Sequence, residues 1–280
     1  MTYLRHVPSP PLDTYLYDLY YLDGPAPYPR QKVLPMPSLH LMINLGAGFQ
    51  VHAPDHAGLV AACTESWWVG LWSTYHIVDS PANARFFGVH VKPAGAYPFL
   101  QRPLAELHNQ VVPLDALWGQ RAAEIRERLW AAPTIAAGLA ELERLLLAQL
   151  QSAPPGLPLV QAAVDAIARQ HGTLSVRWLS DRLGISQNHL GTQFKRLVGL
   201  PPKALARCYR FAHSLRALDP AQPVDWRLIA RQAHFYDQAH LHKDFVAFTG
   251  HSPSEYLQQR RQLQLEHPEY AASLGQLPID

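Results

Sequence analysis

At 280 residues, 48% of them hydrophobic and 16% charged, the chain has the length and apolar content for two packed domains of ordinary size. Its formal net charge of +2 conceals an asymmetry: residues 1–156 carry 10 Lys/Arg against 12 Asp/Glu, residues 157–265 carry 14 against 7, and the last fifteen add three acidic residues. No apolar run reaches the ~18 residues of a membrane span, the opening MTYLRHVPSPPLDTY lacks a signal-peptide core, and the two cysteines, Cys63 and Cys208, lie in different halves; a membrane partner, a secretory leader and a disulfide framework are not expected, and a reducing cytoplasm is.

Residues 1–110 read as short strands broken by Pro and Gly, the clearest being Leu39–Gly46 (LHLMINLG), Trp67–Val78 (WWVGLWSTYHIV) and Ala84–Pro93 (ARFFGVHVKP). Their β-branched and aromatic content fits a β-sandwich or small barrel. From Gly119 the apolar spacing changes to three and four, which predicts helices over QRAAEIRERLWAA and TIAAGLAELERLLLAQL. In the second of these, Leu139, Leu142, Leu145, Leu146 and Leu150 form a broad stripe. It could serve as a homodimer seam, towards which the reading leans, or as a cover for the open face of the β domain. The segment Gln151–Pro158 (QSAPPGLP) then breaks the helical pattern. The chain divides into a β-rich domain at 1–152, a Pro-rich linker at 153–158, an all-helical domain at 159–265 and a tail at 266–280.

The helical half contains a repeat. At a shift of 51, Leu190 falls on Leu241, Phe194 on Phe245, Gly199 on Gly250, Pro202 on Pro253 and His189 on His240. In the first unit Ser175 is suited to cap a helix with Val176, Leu179 and Leu183 inward, and Gly184 to end it in the left-handed region. Ser186 caps the next helix, where Leu190, Phe194 and Leu197 face inward. Gln187, Asn188, His189, Thr192, Lys195 and Arg196 are left outside. The second unit repeats this with Trp226, Ile229, Ala230 and Ala233, then Asp237 as cap and Leu241, Phe245 and Phe248 inward. Gln238, His240, His242 and Lys243 remain for a partner. Amides and imidazoles can bond base edges, while Lys and Arg neutralise phosphates. Between the units Lys203–Leu218 reads as one helix carrying Arg207. Two amphipathic helix-turn-helix units in a basic half point to double-stranded DNA; either unit alone would be common in proteins that never touch it.

At these residues the chain resembles the AraC/XylS-type transcription regulators, over roughly Leu159 to Leu257. The specific stretches are LGISQNHLGTQFKRLVGLPP, RFAHSLRAL and IARQAHFYDQAHLHKDFVAFTGHSPSEYL. The resemblance implies a seven-helix domain that inserts two recognition helices into successive major-groove segments. Three positions depart from the family pattern: Thr192 and Lys243 stand where arginine is usual, and His234 stands where glycine is usual. The first two exchange a bidentate guanine or phosphate fork for weaker contacts. The third asks a side-chain-bearing residue to make a tight turn.

LPMPSLHLMINLG and FFGVHVKPAGAYPFL resemble the N-terminal effector domains attached to one branch of these regulators. That implies an α+β chain whose first half is a cupin-like barrel sensing a small molecule. Inward positions of its strands, His40, Asn44, Trp67, Trp72, Tyr75 and His90, would line the pocket; packed core aromatics would look the same. The histidines do not make a metal site: the first half has no His-x-His pair, Pro54 separates His52 from His56, and His240 and His242 would diverge on a helix. No nucleophile elbow, phosphate loop or dinucleotide fingerprint is present. A non-enzymatic regulator without cofactor, working with the transcription machinery, is the expected function. The alternatives are a metal-dependent cupin enzyme fused to a helical domain, and a protein-interaction module that does not bind DNA.

Overall fold

Alternating apolar and polar residues build the first half, and three-to-four spacing builds the second. The computed structural model describes every residue except 27, 55–57, 269–274 and 280, so His56 lies outside the described residues. Ten strands come from the first half: β1 (Thr2–His6), β2 (Leu16–Gly24), β3 (Arg30–Val33), β4 (Leu39–Asn44), β5 (Phe49–His52), β6 (Leu59–Cys63), β7 (Ser66–Val69), β8 (His76–Asp79), β9 (Ala84–Val91) and β10 (Val111–Pro113). They form two antiparallel sheets, ordered β1-β2-β9-β4-β7-β10 and β3-β8-β5-β6, where the resemblance implies a cupin-like barrel. A short β11 (Gln276–Pro278) completes the second sheet by pairing with β3.

Trp67–Val78, which reads as one strand, is two strands in different sheets. The break falls at Gly70, where a Cβ would come within 1.7 Å of the Leu107 carbonyl oxygen; only a bare backbone fits there. After β9 come α1 (Tyr97–Leu100), α2 (Asp115–Trp118), α3 (Arg121–Trp130) and α4 (Ile135–Gln149). The leucine stripe of α4 covers the β domain. Leu139, Leu142 and Leu146 are buried, and Gly138 lets the helix approach Phe87 of β9 so closely that a Cβ would stand 2.4 Å from its ring. Those leucines are therefore spent inside the chain, not displayed as a dimer seam.

The linker region is pinned too. Gln151 N–H donates to the Pro98 carbonyl, Gln101 Nε2 donates to the Ser152 carbonyl, and α5 (Leu157–Arg169) already begins within it. The two helix-turn-helix units follow: α6 (Val176–Leu183) with α7 (Gln187–Leu197), then, after the connecting α8 (Pro202–Arg216), α9 (Trp226–Gln232) with α10 (Gln238–Thr249). The final helix is α11 (Pro253–Glu266). The expected caps are formed. Ser175 accepts from Trp178 N–H, Ser186 from His189 N–H and Asp237 from His240 N–H. Leu190, Phe194, Leu197, Leu241, Phe245 and Phe248 are all buried.

The two turns are alike but not identical. Gly184 ends α6 at φ +68°, and His234 follows α9 at φ +56°. In both, the next N–H reaches back five residues, Ile185 to Ser180 and Phe235 to Ala230. The second turn then holds one additional residue, Tyr236, which is 93% exposed. The shift of 51 thus holds for the second helix of each unit, and a shift of 50 for the first.

Candidate functional site

Each expected reading helix presents its polar side to solvent. Gln187, Asn188, His189, Thr192, Lys195 and Arg196 on α7 are exposed, as are Gln238, His242 and Lys243 on α10; His240 is half-buried. The Thr192 hydroxyl donates to the Asn188 carbonyl one turn back, which fixes its rotamer and leaves its lone pairs outward.

Both helices are held at the opposite end. Gly199, after α7, has φ +91°, and a Cβ there would lie 2.6 Å from the Leu104 carbonyl oxygen. Gly250, after α10, has φ +71°, and its Cβ would lie 2.9 Å from the Tyr75 ring. The repeated glycine therefore does two jobs, turning the chain and letting the helix end dock on the β-rich half. Around Gly250, Thr74 Oγ1 donates to the Ala247 carbonyl, while Lys32 Nζ of β3 donates to the Thr249 carbonyl and to His251 Nε2. The N-terminal parts of α7 and α10 are thus free, and their C-terminal ends are anchored.

Two of the basic residues expected to attract phosphates have partners within the chain. Arg196 donates to the Tyr97 hydroxyl at 3.0 Å and lies over that ring. Arg207 donates to Asp244 at 2.7 Å, and Asp244 is only 2% exposed; a carboxylate that deep requires a cation, and Arg207 supplies it. Lys195 and Lys243 have no such ion pair among the described residues.

Between the two sheets lies a cavity of about 630 Å³. Of the pocket residues proposed from the sequence, His40 (β4), Trp67 (β7), Trp72 and His90 (β9) lie along its walls. Asn44 and Tyr75 do not. The Asn44 side chain is fully buried in the turn after β4, where its amide donates to the carbonyls of Gly46, Ala47 and Thr64. Tyr75 faces the second domain at Gly250, and its hydroxyl donates to the Pro54 carbonyl.

The most polar end of the cavity was not foreseen. Asp18 of β2 accepts from His90 Nδ1 at 2.6 Å and from Arg5 Nε at 2.8 Å. Burial raises its carboxyl, but the His90 and Arg5 contacts outweigh this and hold it below its ordinary value. A carboxylate within the apolar run LYDLYYL was the available sequence signal. His76 and His40 are pushed the other way. Burial takes His76 down to about 3. Burial, then the neighbouring His90 and His76, takes His40 well below the ordinary imidazole range. Both rings are neutral at pH 7. Trp72 stacks near His76 with ring centroids 4.2 Å apart, and Trp72 Nε1 and His76 Nδ1 are buried without a hydrogen-bond partner among the described residues. The helical half also reaches the cavity, through Tyr209 and Arg216 of α8 and through Gly275 and Gln276 of the tail. Among the described residues no three His, Cys, Asp or Glu side chains converge as a metal site, and no helix is long and apolar enough to cross a membrane.

Residues 4–113 match a domain family of unknown function, DUF6597, and residues 179–259 match the helix-turn-helix domain family. No curated protein matches the chain. Among solved structures, ToxT from Vibrio cholerae is 10% identical, with 85% of this chain and 95% of that one covered and a TM-score of 0.45. The same protein bound to an unsaturated fatty acid gives 11% identity, coverage of 85% and 93%, and a TM-score of 0.43. The AraC-like transcriptional activator CuxR gives 14%, coverage of 77% and 86%, and a TM-score of 0.25. The matched helix-turn-helix domain, of the AraC type, is built as two complete units behind a β-rich half.

Proposed function

We propose that this chain reads a specific stretch of duplex DNA with the free N-terminal parts of α7 and α10, and that a small molecule in the cavity between the sheets governs the reading. The observation that carries this is the common arrangement of the two helices: polar N-terminal faces open to solvent, C-terminal ends fixed to the body. Side chains near the start of a recognition helix are those that reach base edges. In this reading Gln187, Asn188, Thr192, Gln238 and His242 contact bases, with His189 and His240 beside them, and Lys195 and Lys243 meet phosphates. Arg196 and Arg207 stiffen the reading helices instead.

The cavity has the volume of a small-molecule site and mostly apolar, aromatic walls. Its neutral imidazoles and the paired Asp18 suit an uncharged or weakly polar effector with an aromatic or aliphatic body. Output through the transcription machinery belongs to the same proposal. Any pairing of two copies on a two-fold operator would use a surface other than the α4 stripe.

Selection of binding sites from random DNA tests the reading directly. A selected duplex should bind with an affinity that falls steeply between about 50 and 200 mM salt. Asn188→Ala and His242→Ala should each relax base preference in a different half of the site, at a cost of about 1–3 kcal/mol per lost contact. Unchanged site preference in both variants would refute the base-reading assignment, and no duplex binding at the lowest salt would refute the function.

A further inference from the structure

We infer that β3 is a lever between the effector cavity and the second reading helix, with Lys32 as the residue that positions α10. This rests on the function proposed above. Successive side chains of a strand point to opposite faces. Gln31 and Val33 line the cavity. Lys32, between them, reaches the other half of the molecule, donating to the Thr249 carbonyl at 3.2 Å and to His251 Nε2 at 2.6 Å. Thr249 is the last residue of α10, so the ammonium sits where the helix leaves its carbonyls unpaired and its dipole is negative.

The lysine is only 8% exposed, and an ammonium is seldom buried that far without specific partners. Its four-residue strand is tied to the helical half a second time through its backbone. Leu34 N–H donates to the Gly275 carbonyl at 2.7 Å, and Ile279 N–H donates to the Arg30 carbonyl at 3.2 Å. Arg260 of α11 in turn donates to the Gln276 carbonyl. A displacement of β3 by an occupant of the cavity is therefore passed to the end of α10 and to the tail beside α11. α7 is anchored elsewhere, on Tyr97 and Leu104, and among the described residues it has no hydrogen bond to β3. The lever acts on one reading helix and spares the other.

The test uses the full chain and duplexes selected from random DNA, with no ligand. Lys32→Met keeps the aliphatic packing and removes the charge. It should weaken binding roughly tenfold and blur base preference only in the half of the site read by α10. His251→Ala removes one partner of the ammonium without touching β3 and should give a smaller loss in that same half. Lys32→Arg, which restores a cation, should recover part of the preference. Val33→Trp, which fills the cavity from the lever itself, should change affinity in the wild-type background and do so much less with Lys32→Met. Equal blurring of both halves, or no blurring in either Lys32→Met or His251→Ala, would overturn the proposal, as would Val33→Trp acting equally in both backgrounds. Those results leave the DNA-binding function standing. A wild-type chain that selects no duplex takes both down.

Discussion

His234 occupies a backbone position that the first unit gives to Gly184. At φ +56° its Cβ crowds the following peptide, a conformation that costs an L-residue about 1–2 kcal/mol. The second turn tolerates this because the back-reaching bond from Phe235 and the burial of that ring hold the chain in place. His234→Gly should therefore raise stability by about 0.5–1 kcal/mol, the relieved strain less the greater freedom of the unfolded chain; urea unfolding measures it, and an unchanged or lower midpoint would show that the turn is not strained. The departure at His234 was legible because glycine and histidine differ in backbone freedom. The partners of Arg196 and Arg207 were not. On an amphipathic helix an arginine aimed at a phosphate and one aimed at Asp244, 37 residues along the chain, have the same local sequence. Asn44 misled for a related reason: inward alternation gives the direction of a side chain, not whether it enters a cavity or closes a turn.

Helices were easier to read than strands because a helix completes its hydrogen bonds within one segment. The caps at Ser175, Ser186 and Asp237 and the inward stripes of α6, α7 and α10 follow from spacing alone. A strand depends on a distant partner. The split of Trp67–Val78 required the Leu107 carbonyl, and β11 is three residues that become a strand only because β3 offers an open edge. The repeated glycines show the same limit. Their role as helix stops was legible, whereas the close approach of Leu104 to Gly199 and of Tyr75 to Gly250 was not. Gly250→Ala meets two penalties at once, a positive φ and a ring 2.9 Å from the new methyl. It should cost about 2 kcal/mol or more, and the loss should concentrate at the docking of α10. Hydrogen exchange would show this as faster exchange in Phe245–Thr249 with α7 unaffected; uniform acceleration across both helices would mean that the glycine serves the helical domain alone.

The whole molecule is closed by contacts between halves that sequence reading treated as separate. β3, the Lys32 cluster and the tail strand join them, with Leu277 almost fully buried. Three of the histidines shifted below their ordinary range lie along that join. His40 and His76 are in the cavity; His251, lowered first by burial and then by Lys32, with Glu255 opposing, is where α10 meets β3. Each binds a proton more readily in the unfolded chain than in the folded one. Their contribution to stability is therefore complete above the ordinary imidazole value of about 6.5 and is lost as pH falls towards the folded values. His76, at about 3, sets the scale: between pH 6.5 and 5 it alone accounts for about 2 kcal/mol. The lowered carboxylates, Asp18, Glu141, Glu143, Glu255 and Glu266, act in the same direction but only nearer pH 4, which leaves the upper window to the imidazoles. Chemical unfolding at pH 7.5 and pH 5 should show the loss. His76→Phe, which keeps a ring against Trp72 and cannot take up a proton, should reduce it by about the same 2 kcal/mol. A wild-type stability that does not change across this window would mean that the cavity and the interdomain join are already open to water.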